Sequence, residues 1–276
     1  MIIQHRSNRV VELSEWGYTD APFIAWNNLI GDATLTTSNG TKVQSAVYTG
    51  TPSTWDRWVA TPNAGNYAAV DITFASPVDV SCICLVGHNI ASLGGSVRPF
   101  GSDDGGVTFN AVCPLVTPDD DNAIAFRFST ETYARWRVLI SNVTDDAQIA
   151  HIFIGNEMII PRRMYQGVTP PLTPNIVDLQ ANVTEGANII SVASVSRGSS
   201  VSHEFTLVPE WFVRGPDYLA FQRHWNAGGT AFVAWRPSKY NDLVYMWRGS
   251  GGAIVPVNSG PLDFMSFTLE GRAHHV

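Results

Sequence analysis

The residues that could do chemistry are few and scattered. His88, His151, His203 and His224 each stand apart, with no second histidine at metal-ligand spacing, and His274-His275 reads as a solvated tail. There is no Gly-x-Ser-x-Gly elbow, no phosphate-binding glycine loop and no His-Glu-x-x-His pair. Asp119-Asp120-Asp121 and Asp145-Asp146 could offer oxygens to Ca²⁺. Only one or two carboxylates of each run can point inward and no EF-hand spacing follows, so both runs read as exposed loops. Cys82 and Cys84 are two apart in an apolar stretch and point the same way; they read as small core residues. No catalytic residue, no metal and no cofactor are expected, and the chain does not read as an enzyme.

The elements that must position these residues are mostly strands. Of 276 residues, 15% are charged against 45% hydrophobic, and there are nine Trp. A charge content well below the roughly 25% of soluble domains suits a protein that covers much of its surface with partners. No stretch reaches about 18 consecutive apolar residues, so no membrane span is expected, and the opening MIIQHRSNRV lacks the apolar core of a signal peptide. Three Cys are too few for a disulfide framework. The net charge of −7, with 17 basic residues of which only Lys42 and Lys239 are lysines, shows no basic stripe. Tight binding of nucleic acid is therefore not expected, although DNA could pass such a surface without sticking.

Gly, Pro, Ser, Thr, Asn and Asp cut the chain into short pieces rich in Val, Ile, Thr, Phe and Tyr, the pattern of an all-β sandwich or barrel. Strands are expected at Ala68–Phe74, Ser81–Gly87, Ala123–Ser129, Ala134–Ser141 and Ala150–Ile154. In Tyr67–Phe74 the residues Ala68, Val70, Ile72 and Phe74 share one face. Further strands are expected at Ala231–Arg236 and Asp263–Glu270, with a hairpin of Leu243–Arg248 and Ala253–Val257 joined by Gly249-Ser250-Gly251-Gly252. The one flanking helix falls at about 209–227. Gly215-Pro216 interrupts it and opens the better part, Pro216–Asn226, which Gly228-Gly229 ends. Three prolines within five residues, in 170–174, make a stiff connector. The expected division is 1–157, a connector at 158–174, and 175–276.

Residues 20–155 resemble the galactose-binding-like (discoidin-type) jelly roll. Trp55-Asp56-Arg57-Trp58 lies where that family has its early loop tryptophan. Tyr67–Phe74 followed by Ser76-Pro77, and Val80–Gly87 followed by His88-Asn89, match its core strands. Phe100–Gly106 matches its Ser-x-Asp-Gly hairpin, with Phe109 where Trp is common. Ala134–Val138 and Ile149–Gly155 match its later strands. The acidic-glycine turn needs positive φ and side-chain-to-backbone bonds, and Arg135 could pair with a carboxylate across the sandwich. Members of that family bind sugars, lipid headgroups or proteins through loops at one end. By that resemblance Trp55, Arg57, Trp58, His88 and Asn89 are candidate ligand contacts, with a host-surface glycan as ligand. The other reading of this loop is that one Trp plugs the bottom of the sandwich.

His203–Arg272 is similar to a second group, the distal tail and tail-tip proteins of long-tailed bacteriophages. The resemblance rests on the aromatic helix Trp211–Trp225, on Gly228–Pro237 with Tyr240, and on the closing Gly260–Gly271. It implies a structural virion protein: a ring of copies of this chain, six expected, joining the tail tube to the tip or baseplate around a DNA channel. Trp211, Phe212, Phe221, Trp225, Phe232 and Trp235 are then expected at subunit contacts. The alternative reading is a carbohydrate-binding module for a cell-surface glycan.

Overall fold

The structure is a computed structural model. It describes residues 2–3, 10–13, 21–162, 168, 176–183, 189–237, 239–240, 243–249, 252–259 and 263–273; at 2–3, 10–13, 176–183, 189 and 191–198 it describes the backbone alone. Most of the connector expected at 158–174, and His274 and His275, lie outside the described residues.

In chain order the first strands are β1 (Ile2–Ile3), β2 (Val10–Leu13), β3 (Phe23–Ala25), β4 (Thr34–Ser38), β5 (Gly40–Gln44) and β6 (Trp58–Pro62). They are followed by β7 (Tyr67–Val86), β8 (Ser96–Ser102), β9 (Asn110–Ala111), β10 (Ile124–Ser141), β11 (Ala147–Ile149), β12 (His151–Gly155) and β13 (Met158–Ile159). Then come β14 (Ile176–Val183), β15 (Ile189–Pro209), α1 (Glu210–Val213) and α2 (Pro216–Asn226). The chain ends with β16 (Thr230–Ala234), β17 (Val244–Gly249), β18 (Val257–Asn258) and β19 (Phe264–Ala273). The protein is mainly β.

Two compact units divide the chain: 1–163 with Ala231–Met246 and Val276, and 164–230 with Trp247–His275. This differs from a single cut at the proline-rich segment. The reason is packing: Phe232, Ala234, Val244 and Met246 share a buried cluster with Phe23, Phe153, Cys82 and Cys84.

The first unit is organised by one long antiparallel pair, β7 with β10, running from Leu85↔Ile124 to Tyr67↔Ser141. Register shifts between Arg127 and Glu131 and between Tyr133 and Arg135 let the pair bend. β4 and β12 flank β7, and β8 flanks β10. A smaller sheet, β11-β6-β5, supplies Trp58, Ala60, Ala147 and Ile149 to the core that also holds Val70, Ile72, Trp136, Val138 and Ile140. Two sheets that share one apolar core form a sandwich.

The alternation expected in Tyr67–Phe74 holds, with Ala68, Val70, Ile72 and Phe74 all in this core. The next stretch, Ser81–Val86, is buried on both faces: Ile83 and Leu85 face the sandwich core, and Cys82 and Cys84 face the cluster of Phe23 and Phe232. That explains its unbroken apolar run. Both thiols are buried, with their sulfurs 3.6 Å apart, as core residues.

In the second unit β14 pairs with β15 and β15 pairs with β19. Ahead of β19, α1 and α2 are separated at Gly215, as the Gly-Pro step predicts. Pro216 occupies the first helical position of α2, and Gly228, at φ +79°, closes the helix end. Tyr218, Phe221 and Trp225 turn inward from α2, and the Tyr218 and Phe267 rings lie 5.0 Å apart. The expected hairpin after β17 does not form. Ala253–Pro256 is irregular, and Val257 pairs with Ser266 of β19 instead. Pro256, which has no N–H to give a ladder, stands immediately before that short strand.

Candidate functional site

The loop between β5 and β6 is built from the inside out. Ser45 caps a short 3₁₀ turn, Ala46–Gly50, whose buried Ala46 and Thr49 seat it on the sandwich. Trp58 is fully buried, and its indole N–H donates to Thr37 Oγ1 at 2.9 Å. Three residues earlier Trp55 is 87% exposed. The Ser53 hydroxyl accepts from the N–H groups of Trp55 (3.3 Å) and Asp56 (3.4 Å), a local turn that fixes the backbone beneath the ring. The two candidate tryptophans therefore have opposite fates. Trp58 is the core plug and has no face for a ligand; Trp55 offers its indole to solvent.

Arg57, half-buried, joins this loop to its neighbours. Its Nη1 donates to Gln148 Oε1 at 3.0 Å, the Gln148 N–H donates to Asn89 Oδ1 at 2.9 Å, and Asn89 Nδ2 donates to the Asp146 carbonyl at 2.9 Å. Asp146 in turn accepts from Thr61 Oγ1 at 2.6 Å. Arg57 and Asn89 are thus brought into one network, and both are engaged in holding loops together. His88, expected as a ligand contact, is instead buried. Its Nε2–H donates to the Asn122 carbonyl at 2.7 Å and its Nδ1 accepts from the Ile90 N–H at 3.4 Å.

Asp121 and Asp146 correct the reading of the acidic runs as exposed loops. Asp121 is half-buried 3.7 Å from His88 and accepts from the N–H groups of Ala91 and Ser92 and from the Ser92 hydroxyl. Burial pushes its carboxyl up, and these donors, with His88, outweigh that and hold it at about 2. Gln148, which links Arg57 to Asn89, carries no sequence signal: a lone glutamine between Ala147 and Ile149 looks like any solvent-facing strand position.

The expected acidic-glycine turn forms beside β8. Gly105 and Gly106 have φ of +76° and +90°, and Asp104 accepts from Ser102 Oγ, the Val107 N–H and the N–H and hydroxyl of Thr108. The Thr108 bonds, ahead of those from Ser102 and Val107, hold its carboxyl well below the usual range. Arg135 is not the residue that pairs with a carboxylate. Arg137 does so, with Asp71, and its guanidinium lies 3.8 Å from the centre of the Phe109 ring.

Of the six candidate assembly residues, Phe221, Trp225 and Phe232 are buried inside their own units. Packing of this kind takes them out of any contact made by surfaces alone. Phe212 and Trp235 are half-buried, with Trp235 stacked on Tyr240 at 4.9 Å. Trp211 is 69% exposed. No group of His, Cys, Asp and Glu that could hold a metal ion occurs among the described residues.

No protein-family model matches the chain and no curated protein does. Among solved structures it is similar to chitosan-binding module 1 of the chitosanase/glucanase from Paenibacillus sp. IK-5, with 16% identity and a TM-score of 0.41 over 47% of this chain and 99% of that one. It is also similar to a pectin-binding carbohydrate-binding module, with 15% identity and a TM-score of 0.36 over 45% of this chain and 89% of that one. A third is a carbohydrate-binding module from Clostridium perfringens solved with GalNAc-β-1,3-galactose, with 10% identity and a TM-score of 0.39 over 46% of this chain and 96% of that one.

Proposed function

We propose that the first unit binds a cell-surface glycan, with the Trp55 indole as the stacking platform. The observation that carries this reading is the contrast within one loop. Trp58, Ala46 and Thr49 anchor the loop in the core, and Trp55 stands 87% exposed above it. An exposed indole on an anchored loop presents a large apolar face that a ligand can cover. The face of an indole suits the apolar C–H face of a pyranose, and half-buried Arg57 is the adjoining polar group. His88, Asn89, Asp121 and Gln148 act as positioning residues, because their polar atoms hold the loops in register. The reaction class is binding without bond cleavage. The test is a glycan array that includes chitosan, pectin and GalNAc-terminated oligosaccharides, followed by titration of tryptophan fluorescence. Saturable binding that Trp55→Ala abolishes supports the reading; a blank array with folded protein overturns it.

A second reading is favoured by Trp211, 69% exposed at the helical edge of the second unit, with Leu219 37% exposed on α2. Here the chain is a structural component of a phage tail tip, a ring of identical copies located in the virion, with tail-tube and tip proteins as neighbours. Glycan recognition by the first unit is compatible with it. Light scattering with negative-stain imaging tests it: closed rings lost on Trp211→Ala support it, and a ring population untouched by that change counts against this contact.

A further inference from the structure

His151 is a buried titratable group that the glycan reading does not use. It lies on β12, directly opposite Val86 of β7, and is 4% exposed. Its ring reaches the 3₁₀ turn Ala46–Gly50, which begins the Trp55 loop. Nδ1 lies 3.0 Å from the Thr49 carbonyl, and a further backbone hydrogen bond joins the ring to Thr51. The other side-chain hydrogen bonds of 45–56 stay inside the loop. Thr49 Oγ1 donates to the Ala46 carbonyl, Thr51 Oγ1 to the Tyr48 carbonyl, and Ser53 accepts from Trp55 and Asp56. Among the described residues, His151 is the one side chain from outside 45–56 that hydrogen-bonds to it.

Asn28 fixes where the proton sits. Its Oδ1 accepts from the N–H groups of Ile30 (3.1 Å) and Ile154 (3.0 Å), so its Nδ2 is the donating end. Nδ2 donates to the Ile152 carbonyl at 2.9 Å and faces His151 Nε2 at 3.4 Å. A ring nitrogen facing an N–H must accept, so Nε2 is bare and Nδ1 holds the proton that goes to the Thr49 carbonyl. A second proton has no place here, because an Nε2–H would meet the Asn28 N–H. Phe232 of β16 stacks on the ring, with 6.2 Å between centres at 11°. The elements packed around the ring bring no charge to it. Asp32 and Tyr48, in the two 3₁₀ turns, are exposed. Cys82 and Cys84 of β7 are buried thiols. Tyr67, Asp71 and Asp79 lie further back along β7, with Asp71 bonded to Arg137 and Asp79 to Thr132. β12 and β16 carry no other ionisable residue.

We propose that His151 latches the Trp55 loop and that proton uptake by its ring unlatches it, so the glycan face presented at neutral pH is given up in mild acid. This rests on the glycan reading for what the loop carries, and adds the regulation of that site. Burial lowers the imidazole to about 4, against the pull of its backbone hydrogen bonds to Thr49 and Thr51. With the loop open the ring meets water and takes a proton near its ordinary value of about 6.5. Between those values the open form binds more protons than the closed one. Opening therefore becomes easier as the pH falls from about 6.5 towards about 4. From pH 7 to pH 5 the opening equilibrium should rise about twentyfold.

The test is amide hydrogen exchange of the full chain, read for 46–56 and corrected for the intrinsic rate at each pH. In the parent protein the opening of 46–56 should increase about twentyfold from pH 7 to pH 5. The amides of 106–108, held by Ser102 and Asp104, open without freeing a histidine and should change by less than about threefold. His151→Gln keeps a donor for Thr49 and an acceptor for Asn28 but takes no proton, so its pH step should shrink to within about threefold. His151→Leu removes both hydrogen bonds and should loosen 46–56 at pH 7 by at least about fivefold. Near-ultraviolet circular dichroism checks the fold of each variant, and should the Leu variant not fold, the Gln variant decides. Three results overturn the proposal: equal opening at pH 7 and pH 5 in the parent, a pH step that survives His151→Gln, or a folded His151→Leu protein with 46–56 as protected as in the parent. A blank glycan array beside the expected exchange result overturns the glycan reading alone, and the latch then stands on a loop that holds a different ligand.

Discussion

Arg137 grips Asp71 with both ends of its guanidinium fork. Nε donates to Oδ1 at 2.6 Å and Nη2 to Oδ2 at 2.8 Å, between residues directly opposite on β10 and β7. The Ser38 hydroxyl donates to the same Oδ1 at 2.8 Å. Phe109 closes one face of the guanidinium, and the two side chains are only 19% and 21% exposed. This geometry separates the pair from ordinary surface ion pairs, which contribute little.

Asp71→Asn keeps the shape of the side chain and removes its charge. It is expected to lower unfolding stability by about 1–3 kcal/mol. A double-mutant cycle with Arg137→Gln, followed by urea unfolding, should return a coupling of at least about 1 kcal/mol. Additive losses would show that Phe109 and Ser38, and not the pair itself, hold this corner of the sandwich.

The two loop tryptophans should respond oppositely to the same substitution. Trp58→Ala leaves a large void among Ala60, Ile149 and their neighbours and is expected to cost about 3–5 kcal/mol. Trp55→Ala removes a solvent-facing ring and should shift stability by no more than about 0.5 kcal/mol. If the glycan reading is correct, only the second change abolishes binding in a protein of full stability. Thermal unfolding and array binding of the two variants, measured side by side, separate a core role from a ligand role.

How far this was legible in the sequence depends on range. Local signals carried well. The period of two in Tyr67–Phe74 put the right four residues in the core. Pro216 and Gly228-Gly229 marked α2 at both ends. Asp104-Gly105-Gly106 gave its turn.

What failed depends on contacts distant in sequence. Phe232 reads as part of the last third of the chain, yet it pairs with Ala25 and its ring lies 6.2 Å from that of Phe153, tilted against it. Nothing in a strand of five residues records which sheet it will join. His88 and Trp58 look like ligand contacts because polar and aromatic residues beside turns usually face outward. Their burial follows from Asn122 and Thr37, partners 34 and 21 residues away that give them hydrogen bonds inside. Arg135 and Arg137 lie in one continuous register beyond the shift at Tyr133/Arg135, and that register sets Thr73 opposite Arg135 but Asp71 opposite Arg137.

Acid should weaken both units through buried histidines. Burial lowers the imidazoles of His151 and His203 to about 4, despite hydrogen bonds to the Thr49 and Ser202 carbonyls that pull the other way. In the unfolded chain each ring takes a proton near its ordinary value of about 6.5. Between these values the unfolded state binds more protons, so stability is complete above about pH 6.5 and falls as pH drops towards about 4. Each ring can account for at most about 3 kcal/mol across that window. Asp121, held at about 2, adds its own loss only once the pH falls below the ordinary carboxylate range. Urea midpoints measured between pH 7 and pH 4.5 should decline, and His203→Gln should flatten the decline. A flat profile in the parent protein would show that these rings reach water without unfolding.

A charge pair, Arg127 with Glu157, lies inside the first unit. Arg127 Nε lies 3.3 Å from Glu157 Oε1, Ser81 Oγ donates to Glu157 Oε2 at 2.5 Å, and the guanidinium sits 4.5 Å from the centre of the Phe23 ring. The Arg127 side chain is 3% exposed and that of Glu157 not at all. Burial pushes the Glu157 carboxyl up, and Arg127 is the main influence holding it down. Taking two charges from water costs about as much as their attraction returns, so the pair as a whole contributes little net stability. Its members are nonetheless tied to each other. Glu157→Leu leaves a guanidinium buried against Phe23 with its carboxylate gone, and is expected to cost about 3–5 kcal/mol. Replacing both, as Arg127→Met with Glu157→Leu, should recover most of that loss, because a thioether and an isobutyl group fill similar space without a desolvation penalty. Urea unfolding of the two single variants and the double variant decides the matter. A double variant as unstable as the worse single one would show that the pair fixes the alignment of β10 with the segment after β12, a role that apolar packing does not replace.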